Sequence, residues 1–296
     1  GLFRKRAFSG ALVAGLAFFT GLAGFSLVFG LYLQIGLGFS AFKAGLSGIP
    51  MALGMVVAFG VAGGSGLTQR LGRRLLHTGV VTVAVGVGGM LLTLQLSGTD
   101  PSPWQLAPAL AVTGFGMGLV MSPFFDIALA GVEPRETGSA SGTLTAVQQL
   151  GGALGVAVLG TVFFGVMGGQ MQSGTATVAP ALRAQLSAGG LGAATQQQLL
   201  TALRDCGHDR AVATDPIAVP ISCARIETMV RSSATSPQAA RQIGDIVGSA
   251  GNDAGRIAFR DAMRSTLLVE LGLLAVTFAA GFTLPLRARP EDAPVH

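Results

Sequence analysis

The chain has 296 residues, of which half are hydrophobic and 11% charged, and its mean hydropathy is +0.61. That is too apolar for a water-soluble domain of this length and assigns the chain to a membrane. A net charge of +5 and a pI near 10.2 would suit nucleic acid, but the 17 Arg and 2 Lys lie between apolar runs or in one late polar segment. No stripe of basic and aromatic residues forms, which argues against a nucleic-acid partner.

Residue 1 is Gly rather than Met, and the basic Phe3-Arg4-Lys5-Arg6 segment leads straight into an apolar run too long for a signal-peptide core. The expectation is a chain that continues upstream and opens here on a membrane span. A helix needs about 20 apolar residues to cross the hydrocarbon core. Six stretches meet that length: 8–33, 44–65, 75–96, 106–131, 141–167 and 265–286. Within them the acidic residues are Asp126 in the fourth and Glu270 in the sixth. The expected organisation is five spans in residues 1–167, a polar extracytoplasmic insertion in 168–264, the sixth span in 265–286 and a cytoplasmic tail in 287–296.

Short loops rich in Arg and Lys stay in the cytoplasm. With the start of the chain inside, the inside loops hold Arg4, Lys5, Arg6, Arg70, Arg73, Arg74, Arg135, Arg287 and Arg289, while the two short outside loops hold Lys43. The other basic residues fall in the long insertion, and segments beyond about 60 residues escape the rule. Tyr32 and Trp104 then sit at the outer interface, where amphipathic rings settle.

The second and third spans are joined by the basic turn Ser65-Gly66-Leu67-Thr68-Gln69-Arg70-Leu71-Gly72-Arg73-Arg74. Charges at a bilayer centre cost several kcal/mol each, so these arginines lie outside the hydrocarbon. They are expected to bond helix ends and acidic partners and brace the inner face closed, with binding of anionic lipid as the alternative. His77, at the start of the third span, is expected to have no special role.

Asp126 is a candidate for proton coupling or gating, because a carboxylate inside a span is functional by default. At 100° per residue, Phe115, Leu119 and Ser122 share its face and Met117 and Met121 lie on the other. The Phe115/Ser122 side is therefore the expected interior wall. The alternative is that Asp126, seven residues before Glu133, reaches the inner interface. In the first span Phe18, Leu22, Phe25, Phe29 and Tyr32 form a stripe that could be an aromatic wall for an apolar cation or simple helix packing. In the fifth span Gly138, Gly142, Thr145, Gln149 and Gly152 share one face, the spacing of a close helix contact, with Gln148 and Gln149 as alternative substrate contacts.

Residues 168–264 turn to Gln, Ser, Thr, Asp and Arg, with short helical patterns at 196–203 and 239–247. Cys206 and Cys223 are the two cysteines of the chain and both face an oxidising compartment. A disulfide is the leading reading; two free thiols, or a partial metal site with His208, remain open. Glu270 is expected about six residues inside the outer end of the last span, snorkelling or paired with Arg264, with proton coupling as the alternative.

The basic turn resembles the loop signature of the major facilitator superfamily, whose fold is two six-helix halves. Gln69 stands where the stronger first-half copy has Asp and Ser65 where it has Gly, and both departures resemble the second-half copy. Gly114-Phe115-Gly116-Met117-Gly118, Ser122-Pro123, Val132-Glu133-Pro134-Arg135, Gly138-Ser139-Ala140-Ser141-Gly142 and Gln148-Gln149-Leu150-Gly151-Gly152-Ala153-Leu154-Gly155 are similar to the last third of EmrB/QacA-type drug:proton antiporters, which have fourteen spans. The resemblance implies an all-α membrane fold, six transmembrane helices forming the C-terminal half of a multidrug exporter in a bacterial inner membrane, with both ends of the chain cytoplasmic. It implies as partners the N-terminal half of the same transporter, a small amphipathic drug-like substrate, protons and the lipid bilayer. It also implies that the first and fourth spans line the cavity, the fifth lies beside the other half and the sixth is peripheral.

Competing readings are a facilitator carrier of a metabolite, and a membrane anchor presenting the cysteine-bearing segment as a sensing or binding module. An enzyme is not expected. His77, His208 and His296 are far apart, no Gly-Lys-Ser/Thr phosphate loop occurs, and no Ser/His/Asp set clusters, so no cofactor or metal is expected either.

Overall fold

A computed structural model describes residues 6–129, 132–212 and 218–285, apart from the side chains of Arg6, Ala7, Gln69, Pro134 and Val212. Arg4, Lys5, Arg287 and Arg289 lie outside the described residues. The regular elements described are helices: α1 (Arg6–Leu31), closing in a π-helical turn (Tyr32–Gly36); α2 (Ala41–Ser47); α3 (Ile49–Gly64); α4 (Leu67–Leu71); α5 (Arg73–Leu96); α6 (Pro103–Leu129); a 3-10 turn (Pro134–Glu136); α7 (Thr137–Ala188); α8 (Ala193–Val212); α9 (Ile221–Ser233); and α10 (Pro237–Gly281). Among the described residues six apolar segments are long enough to cross a membrane: Phe8–Gly36, Ala41–Gly64, Arg73–Leu96, Pro103–Leu129, Thr137–Ala188 and Pro237–Gly281. The chain is an all-α, multi-pass membrane protein.

Two compact units divide it. One comprises the residues through Gly30, Phe39–Gly160 and those from Thr266 onward. The other comprises Leu31–Gly38 and Thr161–Ser265. The expected borders at 167/168 and 264/265 fall inside α7 and α10, which run through them without a break.

In the first unit the helices meet through glycine. Lipid tails are as apolar as leucine, so little is gained by hiding leucine from them, and close backbone approach supplies the attraction instead. The Gly114-Phe115-Gly116-Met117-Gly118 segment shows the geometry. Gly114 and Gly118 lie about 40° apart on α6 and Gly116 nearly opposite. A Cβ on Gly118 would stand 2.6 Å from the Ala58 Cβ of α3, and one on Gly114 would stand 2.9 Å from the Met51 Cα. One on Gly116 would stand 2.8 Å from the Gly79 carbonyl oxygen of α5. Glycine on both faces thus lets α6 lie tightly between α3 and α5. Thr113, buried at the Gly86 contact, stays satisfied because its hydroxyl donates to the Ala109 carbonyl at 2.8 Å.

α1 packs on α7 and on the last turns of α10. At the first contact Gly151 faces Phe19, and Gly155 faces the backbone of Thr20 and Gly24. At the second, Gly10 faces Thr283 and Gly21 faces Glu270, so the two helices run antiparallel.

The face of α7 bearing Gly138, Gly142, Gln149 and Gly152 is left open by the described residues of this chain. A Cβ at Gly138 or Gly142 would meet nothing within 4 Å, Gln149 is exposed, and Gly152 comes no nearer than 4.0 Å to the Ala23 Cβ. The close contact runs through Gly151, Gly155 and Leu159, one residue back from the predicted face. Both glycine sets have helical spacing, and spacing alone does not distinguish a face that meets α1 from one that this chain leaves open.

The second unit has a core of the kind water demands. Leu182, Leu186, Leu199, Leu200, Leu203, Val230, Ile243, Val247 and Ala250 cluster between the end of α7, α8, α9 and the start of α10. Each buried side chain of this size contributes about 1.5–3 kcal/mol. A disulfide between Cys206 and Cys223 ties α8 to α9. Tyr32, expected at a lipid interface, is buried at 1% exposure, whereas Trp104 is exposed.

Candidate functional site

The basic turn is built by two glycines. Gly66 has φ +65° and Gly72 φ +50°, a region that costs L-residues with a Cβ roughly 1–2 kcal/mol. They stop α3, allow the single short helix α4, and restart the chain as α5. Gly72 is also buried, so the chain reverses tightly beneath Arg73.

Arg73 reaches across to the end of α10. Its Nη1 donates to the carbonyls of Phe282 and Leu284, both at 2.9 Å, and its guanidinium lies 5.7 Å from the centre of the Phe282 ring. A cation there satisfies carbonyls left without partners at the helix end and opposes the negative end of the helix dipole. Arg70 and Arg74 are exposed.

His77 completes this joint, against the expectation that it does nothing special. Its Nδ1 donates to the Arg73 carbonyl at 2.9 Å, and its ring lies 4.7 Å from Phe278 and 4.6 Å from Phe282. Nε2 is buried with no hydrogen-bond partner among the described residues. The start of α5 is thereby fastened to the end of α10.

The Asp126 face of α6 divides. Leu119 is buried with Ala58, Ala62 and Leu75, and Phe115, Leu67 and Leu71 pack against that cluster. The Ser122 hydroxyl lies 3.1 Å from that of Thr68 in α4. Phe115 and Ser122 therefore lie against the basic turn and its flanks, not along an open wall. Asp126, one turn beyond Ser122, is exposed, and its carboxylate makes no ion pair among the described residues. Met117 is buried and Met121 half-buried.

Phe18, Phe25 and Phe29 are all buried, at 4%, 2% and 6% exposure. Phe25 and Phe29 stack with centroids 5.4 Å apart, and Phe18 meets Phe19 edge to face. These rings pack within the unit, which is the packing alternative for the stripe.

Glu270 departs furthest from expectation. It is 3% exposed and lies on Gly21, so it does not snorkel to an interface. The polar residues up to Arg264 resemble a loop that ends there, whereas α10 begins at Pro237 and continues unbroken. A usable signal was present: Gly10, Gly15, Gly21 and Gly24 in the first span leave hollows that fit larger side chains from a neighbour.

In the second unit an open cleft is lined by Gln172, Arg204, Asp205, His208, Asp209, Ile221, Ser222 and Arg225. Arg204 donates to the Gln172 side chain at 2.7 Å, and the Ser222 hydroxyl donates to Asp209 at 2.7 Å. The Ser222 hydrogen bond, then that of His208, holds Asp209 below the usual carboxylate range. Among the described residues no group of three metal-ligating side chains occurs.

Residues 1–156 match the family model described as Major Facilitator Superfamily. The chain is 40% identical over 291 residues to a protein of Streptomyces coelicolor named "Probable actinorhodin transporter", an alignment covering 98% of this chain and 48% of that protein. It is 36% identical over 147 residues to a puromycin resistance protein of Streptomyces alboniger, covering 49% of this chain and 29% of the relative. It is 30% identical over 163 residues to a multidrug efflux pump of Mycolicibacterium smegmatis, covering 55% and 31%. The chain thus spans about half the length of the first of these relatives and less of the other two.

Proposed function

The chain belongs to the major facilitator superfamily, and from that premise we propose that it forms the C-terminal half of a proton-coupled exporter of drug-like compounds, of the EmrB/QacA fourteen-span type. One observation carries the reading: the 40% identity to a named transporter extends across 98% of this chain, the cysteine-bearing segment included. Relatives named for puromycin resistance and for multidrug efflux support the substrate class. The form of the basic turn, with Ser65 and Gln69, supports the second half.

In this reading the partner is the N-terminal half, and transport proceeds by rocking of the two halves about a central site. The face of α7 bearing Gly138, Gly142, Gln149 and Gly152 is open in this chain, which suits a surface that slides against that half. Asp126 and the exposed Arg70 and Arg74 serve a gate at the cytoplasmic end, while Arg73 holds that end of the helices together. Both ends of the chain are cytoplasmic, residues 168–264 are extracytoplasmic, and the membrane is the bacterial inner membrane.

The test is expression of the complete reading frame containing this chain in an efflux-deficient bacterium loaded with ethidium. Efflux should appear and should stop when a protonophore collapses the gradient. Retention of dye equal to that of cells with an empty vector refutes the exporter reading.

A further inference from the structure

Glu270 is buried in the contact between α1 and α10, where a carboxylate is costly. Gly21, which it covers, is near the middle of the apolar run of α1, about 20 Å from Phe8 and about 15 Å from Leu31 at 1.5 Å per residue. Glu270 therefore lies beside the middle of the apolar run of α1 rather than near its end. Gly21 makes the room: a Cβ there would stand 2.5 Å from Oε1 and 2.8 Å from Oε2. Oε2 is buried with no hydrogen-bond partner among the described residues.

The surrounding elements of this unit supply no neutralising charge at that depth. Between Phe8 and Leu31, α1 has no acidic or basic residue. The basic groups of α4 and α5, Arg70, Arg73, Arg74 and His77, are grouped where α5 begins, and His77 packs on Phe278 and Phe282, about 12 Å or more along α10 from Glu270. Asp126 on α6 is exposed, and no ionisable residue occurs in 138–160 of α7, elsewhere in 266–281 of α10 or in 282–285 after it.

An intramembrane carboxylate costs several kcal/mol to retain and marks an ion or proton path. A proton needs one oxygen atom and no cavity, and the buried Oε2 offers that. We propose that Glu270 is a proton-binding site of the transport cycle, held against Gly21 of α1. This rests on the exporter reading above. Oε2 takes a proton from water on one side of the membrane to give the neutral acid, and returns it to water on the other, leaving the carboxylate. No other bond changes. Because the site is formed by α1 and α10 together, a change of charge there alters the packing between these two helices.

The experiment uses the complete transporter, purified and reconstituted, as wild type, Glu270→Gln and Glu270→Asp. Infrared difference spectra across a pH titration read the carboxyl group directly. A protonated-carboxyl band that titrates in the wild type, is missing in Glu270→Gln and is displaced in Glu270→Asp is expected. Ethidium transport supplies the second readout. Glu270→Gln should keep gradient-free counterflow within about twofold of the wild type and lose gradient-driven accumulation by about tenfold or more. Unchanged accumulation in Glu270→Gln, or a titrating band indifferent to both substitutions, overturns the proposal. A wild type with no gradient-driven accumulation defeats the exporter reading instead, and the infrared band still decides whether Glu270 binds a proton. Should Glu270→Gln fail to fold, Glu270→Asp decides alone: a pH profile and band identical to the wild type count against the site.

Discussion

Adding one methyl group to α7 at two positions should have opposite consequences. A Cβ at Gly155 would stand 2.9 Å from the Gly24 backbone nitrogen and would press on the Thr20 backbone, whereas at Gly142 nothing lies within 4 Å. Ordinary contact begins near 3.4 Å, so Gly155→Ala requires α1 and α7 to separate by about 0.5 Å or more. A gap of about 0.5–1 Å forfeits about a quarter to a half of each van der Waals contact along the seam. Overpacking of this kind costs about 1–3 kcal/mol. Both substitutions share the same helix-propensity gain of up to about 1 kcal/mol, so their difference isolates the clash. Thermal unfolding of the 296-residue chain by itself in detergent, where the Gly142 face stays uncovered, with Gly142→Ala as reference, measures it. Gly155→Ala should be the less stable by about 1–3 kcal/mol, and equal stability of the two variants refutes the placement of the seam.

Arg73→Ala removes two charge-assisted hydrogen bonds to the Phe282 and Leu284 carbonyls, each worth about 1.5–3 kcal/mol when buried and less here at a half-buried side chain; faster amide exchange at 281–284 should follow, and unchanged exchange counts against the cap. Leu186→Ala in the core of the second unit, where Leu186 is fully buried, should cost about 2–5 kcal/mol, read as faster limited proteolysis within 189–192. At Asp209 the carboxyl is held below 3.8 by Ser222 first and His208 second, so its stabilising contribution is present above 3.8 and disappears as pH falls through the lowered folded value. Ser222→Ala should move the Asp209 titration, followed by carbon NMR of its carboxyl, upward toward 3.8; an unmoved titration shows that the Ser222 hydroxyl is not the cause.

The helical class and six apolar segments were legible because length and hydropathy carry them, and a membrane leaves few alternatives to the helix. The turn between α3 and α5 was legible because Gly66 and Gly72 do something no other residue does readily. Faces were harder. Gly138, Gly142 and Gly152 have the same spacing as Gly151 and Gly155, and the choice between them depends on where Thr20 and Gly24 of α1 come to rest. Phe18, Phe25 and Phe29 form a stripe that serves equally as a lining or as packing, and their burial follows from neighbours distant in sequence. His77 looked like an interfacial side chain because Phe278 and Phe282, which enclose it, are some 200 residues away in the chain. The depth of Glu270 was not legible because the polar side chains before Arg264 resemble a loop, although α10 continues through them.

Proton-driven drug export by the complete protein is the claim on which the rest depends, and everted membrane vesicles test it most directly. With an imposed inward-acidic gradient, vesicles carrying the complete reading frame should accumulate ethidium, and added ethidium should release protons from the lumen in proportion. Dye accumulation that ignores the gradient, or no accumulation above vesicles lacking the protein, contradicts the account.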